Sequence, residues 1–246
     1  MDELFDLTGK VALVTGGSRG LGLQMVRAFA QRGADVVISS RKLDACEAAA
    51  EEMRRLGRRA LAVSANASRW DDVDRLAAAA YQAFGRIDIL VNNAGMSPAI
   101  PSHEITEAMF DKIVSLNFKG PFRLASQVAK RMADGDGGSI INVSSSGALH
   151  PLPTVVPYSG AKAALNAMTV SLAREYGPKV RVNAISAGPF LTDISKAWSE
   201  IDRQSARNSA GRPGRPEEIV TTALLLASPA SSFTTGAIIR CDGGTG

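Results

Sequence analysis

The stretch VALVTGGSRGLG, Val11 to Gly22, decides how the rest of the chain is read. Its apolar start reads as a strand buried on both faces, and it runs straight into a turn with glycines at 16, 20 and 22. A helical pattern follows at once. Glycines there let the chain turn sharply and bring the helix backbone close to a diphosphate. The helix N-terminus then offers unpaired N–H groups and the positive end of its dipole. The spacing T-G-x-x-x-G-x-G differs from G-x-G-x-x-G and points to a particular subset of dinucleotide binders.

The same strand-then-helix alternation repeats along the chain. Residues 35–39, 60–63, 87–91, 139–143, 180–185 and 237–240 read as six further strands, several nearly continuous in Val, Ile and Leu. Helical patterns lie at 20–32, 43–56, 70–84, 107–133, 158–176 and 216–228. Alternation of this kind means βαβ units with right-handed crossovers. The expected fold is α/β: one domain over residues 1–246, a Rossmann-type doubly wound parallel sheet of seven strands with helices on both faces. Residues 192–215, which hold little β signal and end in GRPGRP, are too long for a routine connection and are expected to form a substrate lid.

Composition narrows the function classes. With 45% hydrophobic and 21% charged residues, low-complexity disorder is excluded. Lys and Arg number 28 against 24 Asp and Glu, a spread-out +4, so neither nucleic acid nor an anionic membrane is an expected partner. Cys46 and Cys241 stand far apart without a partner motif, which fits a reducing cytoplasm rather than a disulfide framework, and no metal motif is present. The start MDELFDLTGK lacks a signal-peptide layout, and no apolar run reaches the ~18 residues of a membrane helix. A cytoplasmic location is expected.

Three groups of residues carry chemistry. Tyr158 and Lys162 are four apart at the start of a helical stretch, hence on one helix face. A phenol with a pKa of about 10 is a poor base at neutral pH, and a neighbouring ammonium favours the phenolate. Ser145 follows the strand SIINV, near the end of the sheet where such folds bind ligands, with Ser144 and Ser146 as neighbours. Pro121, four residues after Asn117, has no N–H to offer the Asn117 carbonyl, so a kink and a free inward carbonyl suited to an ordered water are expected.

In order along the chain, TGGSRGLG at 15–22, NNAG at 92–95, Asn117 in LNFKG, Ser145 and Tyr158-Ser-Gly-Ala-Lys162 resemble the motifs of the classical short-chain dehydrogenase/reductase family. The resemblance covers nearly the whole length. It implies hydride transfer between a nicotinamide cofactor and a carbonyl or secondary alcohol. Tyr158 would exchange the proton, Ser145 orient the oxygen, Lys162 lower the Tyr pKa and hold cofactor ribose, and Asn117 seat the water of a proton relay. Cofactor contacts are then expected from Gly16, Ser18, Arg19, Gly20, Leu21, Gly22, Ser40, Arg41, Asn66, Ala67, Asn92, Ala94, Gly95, Tyr158, Lys162, Gly188, Phe190 and Thr192.

The resemblance also bears on which nicotinamide cofactor binds. Where the family places an acid that selects NAD, this chain has Ser40 followed by Arg41, with Arg19 on the same side, so NADP(H) is favoured over NAD(H). Asp44 is a further candidate to reach the ribose. Asn66 replaces the family's Asp, its amide carbonyl expected to accept from adenine. Ala187-Gly188 replaces Pro-Gly, while Thr192 keeps the family's carboxamide contact.

Met96, Leu152, Val155, Phe190 and Trp198 suggest a mainly apolar pocket for a small or medium substrate. A homotetramer formed through the 107–133 and 158–176 helices is expected by analogy. The rival within the enzyme class is a 3-oxoacyl-[acyl-carrier-protein] reductase, with Arg203, Arg207, Arg212 and Arg215 as a docking patch. Outside it stand a non-catalytic NADP-binding sensor or scaffold, and a Rossmann-fold methyltransferase.

Overall fold

Alternate residues of the first strand serve two different cores. Ala12 and Val14 pack on one face of the sheet with Val36 and Ile38, whereas Val11 and Leu13 pack on the other with Val37. This is the two-residue period of a strand covered on both sides. The computed structural model describes residues 3–193, 195 and 200–246, Asp202 by its backbone alone. Trp198, expected in the lid, lies outside the described residues.

Seven strands form one parallel sheet: β1 (Val11–Thr15), β2 (Asp35–Ser40), β3 (Ala60–Ser64), β4 (Ile89–Asn92), β5 (Gly138–Ser145), β6 (Val180–Ala187) and β7 (Ile238–Cys241), in the order β3-β2-β1-β4-β5-β6-β7. The helices are α1 (Gly20–Gln31), α2 (Leu43–Arg55), α3 (Trp70–Phe84), α4 (Glu107–Val114), α5 (Gly120–Asp134), α6 (Val156–Tyr176), α7 (Glu200–Gln204) and α8 (Val220–Ala227). Met25 and Phe29 of α1, Met53 of α2 and Leu226 of α8 fill one core. Leu76 of α3, Leu124 and Val128 of α5, and Leu165 and Leu172 of α6 fill the other. Burying each such side chain fully contributes roughly 1.5–3 kcal/mol. This is the doubly wound Rossmann-type architecture expected from the alternation.

Strand order reverses between β1 and β4, and a doubly wound sheet opens a crevice beyond the carboxyl ends of its strands at that point. The Gly16–Gly22 turn follows β1, and residues 93–96 follow β4. A buried polar chain ties the neighbouring strands to the helix behind them. Asn92 Nδ2 donates to Asn142 Oδ1 at 2.9 Å, Asn142 Nδ2 to Thr169 Oγ1 at 2.9 Å, and the Thr169 hydroxyl to the Leu165 carbonyl at 2.8 Å. These buried bonds hold β4, β5 and α6 in one register, while the Asn92 Oδ1 is left without a partner.

The 107–133 helix is broken where Pro121 predicts a kink, and the break is a π-turn over Ser115–Lys119. Gly120 N–H reaches back five residues to the Ser115 carbonyl. Widening the turn accommodates a proline ring that would otherwise press on the carbonyl four residues earlier. The segment expected as a lid carries α7, and its two ends meet. Leu191 N–H donates to Gly214 O and Gly214 N–H to Pro189 O, both at 2.8 Å, with Phe190 bridged to Gly214.

Candidate active site

The glycine turn is packed too tightly for other residues. Gly16 and Gly20 have φ of +65° and +54°, in the left-handed region that favours glycine. A Cβ on Gly22 would stand 2.3 Å from the Gly16 carbonyl oxygen. No side chain caps α1, and its first turn holds no acid, so its leading N–H groups remain for an anion.

A residue outside the sequence expectations holds this turn in place. Asn93 Nδ2 donates to the carbonyls of Thr15 at 2.9 Å and Gly16 at 3.2 Å, while Thr15 Oγ1 accepts from the Asn93 and Ala94 N–H groups. Its neighbour Asn92, expected at the cofactor, is instead buried in the polar chain beneath the cleft. Only the position of Asn93 within NNAG hinted at its part, because its partners lie far away in sequence.

Asn117, Lys162, Tyr158 and Ser145 come together behind this crevice. Asn117 is fully buried and its Nδ2 donates to the carbonyls of Met96 and Ile113, both at 2.9 Å, while its Oδ1 has no partner. A Cβ on Gly95 would lie 2.8 Å from that Oδ1 and 3.7 Å from Lys162 Nζ, so glycine keeps the approach between them open. Lys162 Nζ donates to the Val143 carbonyl at 2.7 Å and stands 5.8 Å from the Tyr158 ring centre. Ser145 closes β5 and its Oγ accepts from Gly147 N–H at 3.0 Å. Ser144 Oγ bonds the Lys162 carbonyl at 3.4 Å, a role in the scaffold.

The proton affinities differ from expectation in one respect. Burial raises the Tyr158 phenol above its usual value, and a hydrogen bond with Ser145 offsets only part of that. The expected depression by Lys162 is absent because buried Lys162 gives up its own proton near 8, before the phenol titrates, and is then neutral. Lys162 itself is lowered from 10.5 to about 8 by burial. The unfolded chain therefore holds this proton more readily between pH 8 and 10.5, and the folded state gains stability as pH rises through that window. The gain is on the order of 3 kcal/mol, at ~1.4 kcal/mol per unit. Denaturant unfolding of the wild type and Lys162→Met at the two ends of the window checks this. The wild type should gain on the variant, and a constant difference would contradict it.

On the adenine side, Ser40 Oγ lies 3.1 Å from Cys46 Sγ and donates to the Lys42 carbonyl at 3.3 Å. Arg41 is exposed and has no ion-pair partner among the described residues. The Asn66 carbonyl, expected to meet adenine, already accepts from Ser68 N–H at 3.2 Å and Ser68 Oγ at 2.8 Å. Both lone pairs are thereby engaged, which leaves its amide N–H groups for a ligand.

At the other end, Gly188 packs so closely that a Cβ would lie 2.5 Å from Asp242 Cα. Phe190 is buried against Gly214 at the base of the segment expected as a lid, and with Pro189, Arg212 and Asp242 it lines a cavity there. Thr192 stands over the glycine turn, 3.7 Å from where a Gly20 Cβ would be. Arg19 NH1 reaches Asp193 Oδ2 at 2.9 Å across the cleft. Of the four arginines considered for carrier-protein docking, Arg212 and Arg215 are paired with Glu218. A glycine cradle at an uncapped helix, an unpartnered buried Asn117 Oδ1 and a buried ammonium beside a phenol together fit a nicotinamide dinucleotide.

Residues 16–246 match the sequence family described as Enoyl-(Acyl carrier protein) reductase. The chain is 35% identical over 247 residues to the NAD-dependent glycerol dehydrogenase of Listeria innocua, covering 99% of this chain and 96% of that one. The chain belongs to the short-chain dehydrogenase/reductase family. Solved structures of similar reductases superpose over almost the full length. A 7α-hydroxysteroid dehydrogenase complexed with NADH and 7-oxo glycochenodeoxycholic acid gives a TM-score of 0.94 at 33% identity, with 99% of this chain and 97% of that chain covered. The NADPH-dependent 3-quinuclidinone reductase of Rhodotorula rubra gives 0.93 at 30% identity, covering 98% and 93%. This short-chain dehydrogenase/reductase is therefore an oxidoreductase acting on alcohol or carbonyl groups with a nicotinamide cofactor. Among the described residues, no helix is long and apolar enough to cross a membrane.

Proposed function

We propose that this protein is an NADP(H)-dependent oxidoreductase of apolar carbonyl compounds and secondary alcohols, working as one cytoplasmic domain with residues 192–215 as its lid. The observation that carries the reading is the convergence of Ser145, Tyr158 and Lys162 beside Asn117 at the switch point of the sheet. A bound nicotinamide dinucleotide supplies the hydride. The α1 N-terminus and Gly16–Gly22 would hold its diphosphate, Lys162 a ribose, and Thr192 the carboxamide. Ser145 donates to the substrate oxygen and Tyr158 gives it a proton. Tyr158, a neutral phenol raised further by burial, is the acid for reduction, and its phenolate is the base for oxidation. Asn117, from the π-turn, seats a water toward Lys162 to restore that proton.

NADP(H) is favoured by the chain's own residues, since the relatives include both an NAD-dependent and an NADPH-dependent enzyme. Ser40 brings no carboxylate to repel a 2′-phosphate, and Arg41 stands unpaired to bind one. The ratio of kcat/KM for NADPH over NADH should be about tenfold or more, the worth of a charged hydrogen bond, and should fall in Arg41→Ala. A clear NADH preference in the wild type would sink the assignment. A panel of ketones, 3-oxoacyl thioesters and polyols, followed by NADPH absorbance, tests the reaction and the substrate class together.

Turnover of apolar ketones with weak activity on carrier-protein thioesters is expected, because two of the four candidate docking arginines are paired, Arg212 with Glu218 and Arg215 with Glu217 and Glu218. The presence of all four catalytic residues argues against a sensor or scaffold. Exposed Phe110 on α4 and Phe122 on α5 support assembly through these helices into a homotetramer.

A further inference from the structure

We propose that Asp193 is a specificity-determining residue of the cofactor cleft: a built-in anion that competes with a 2′-phosphate for the Arg19 guanidinium. The inference rests on the NADP(H) reading above. Arg19 is the last residue before α1, with an extended backbone (φ −162°, ψ 173°). Its NH1 sits 2.9 Å from Asp193 Oδ2, 174 residues further on. One residue earlier, Thr192 stands 3.7 Å from where a Gly20 Cβ would be. The base of the lid thus rests on the glycine turn, and the ion pair closes that contact from outside.

Two features make the pair exchangeable. Its guanidinium side chain is 69% exposed and its carboxylate side chain 35%, so water screens it and its strength is small. A phosphate dianion brings more charge and more acceptor oxygens to the same guanidinium than a single carboxylate does. Arg41, with no ion-pair partner among the described residues, is available in every state, whereas Arg19 is available only once Asp193 lets go. The chain lacks an acid at the end of β2, where Ser40 stands, yet places one near the glycine turn from the far side of the cleft. NADH has no 2′-phosphate, and its diphosphate would be met by the N–H groups of the glycine turn, so it gains less by displacing Asp193.

Fluorescence titration of NADPH and NADH on the wild type, Asp193→Asn, Arg19→Gln and the double variant tests this, with adenosine 2′-monophosphate and 5′-monophosphate as competitors. Asp193→Asn should tighten NADPH and the 2′-monophosphate by about two- to fivefold, the range of an exposed ion pair, and NADH and the 5′-monophosphate by less. The gain should vanish in the Arg19→Gln background. Equal effects on both cofactors, weaker NADPH binding in Asp193→Asn, or a gain that persists without Arg19 would each overturn the proposal. A wild type that prefers NADH would instead defeat the cofactor reading. The 2′- against 5′-monophosphate comparison then still decides whether Asp193 competes for Arg19.

Discussion

Tyr158→Phe is expected to fold as the wild type does, to bind NADPH with unchanged affinity, and to lose about 10²–10⁴-fold in kcat for carbonyl reduction, the usual worth of a positioned acid. The substitution removes one hydroxyl and keeps the ring that packs beside Gly147, whose Cβ position lies 3.9 Å from Tyr158 Cε1. Ser145, Lys162 and Asn117 stay where they are, so orientation of the substrate oxygen survives while its proton source does not. Stopped assays of kcat beside a fluorescence titration of NADPH separate chemistry from binding. A kcat within a few-fold of wild type would remove Tyr158 from the proton-transfer role.

The second large effect is expected at Gly120, where a Cβ would lie 1.7 Å from the Ala67 carbonyl oxygen. That oxygen belongs to backbone and cannot swing aside, so Gly120→Ala must separate α5 from the 66–68 turn by roughly 1 Å or more. Overpacking of this kind costs about 3 kcal/mol or more. A fall in Tm of roughly 6–12 °C follows, at 2–4 °C per kcal/mol for a chain of this size. Ala67 neighbours Asn66 on the adenine side, and Gly120 follows the π-turn that carries Asn117. Cofactor affinity and turnover should therefore fall together. A variant with unaltered Tm and NADPH affinity would show that this contact gives way easily.

The sheet was legible because its code is local. Runs such as Val11–Thr15 and Ser139–Val143 declare buried strands by composition alone, and all seven appear within two residues of their expected ends. Strand β4 begins at Ile89 rather than residue 87, although the Asp88 backbone already bonds Val11 and Ser139 on either side. Pro121 announced a break in its helix, but not that the relief would be a wider turn. Long-range pairings were harder to see. The hold of Asn93 on Thr15 and Gly16, the use of Asn92 beneath the cleft, the capture of the Asn66 carbonyl by Ser68 and the Arg19–Asp193 pair depend on contacts that only the folded chain creates. The rise in the Tyr158 proton affinity had the same origin: only the folded chain buries the phenol and Lys162 together, and burial disfavours the charged form of each.

The bridge between Phe190 and Gly214 carries a consequence for how this scaffold diversifies. The excursion between them is tied to the body at both ends: Arg19 holds Asp193 at its start, and near its close the Ser209 and Ala210 N–H groups donate to the Gly244 and Gly243 carbonyls. Doubling the length of such a loop adds only about 0.6 kcal/mol of closure entropy. An insert placed between residues 193 and 208 is accordingly expected to leave both sets of ties, and the polar chain joining β4, β5 and α6, untouched.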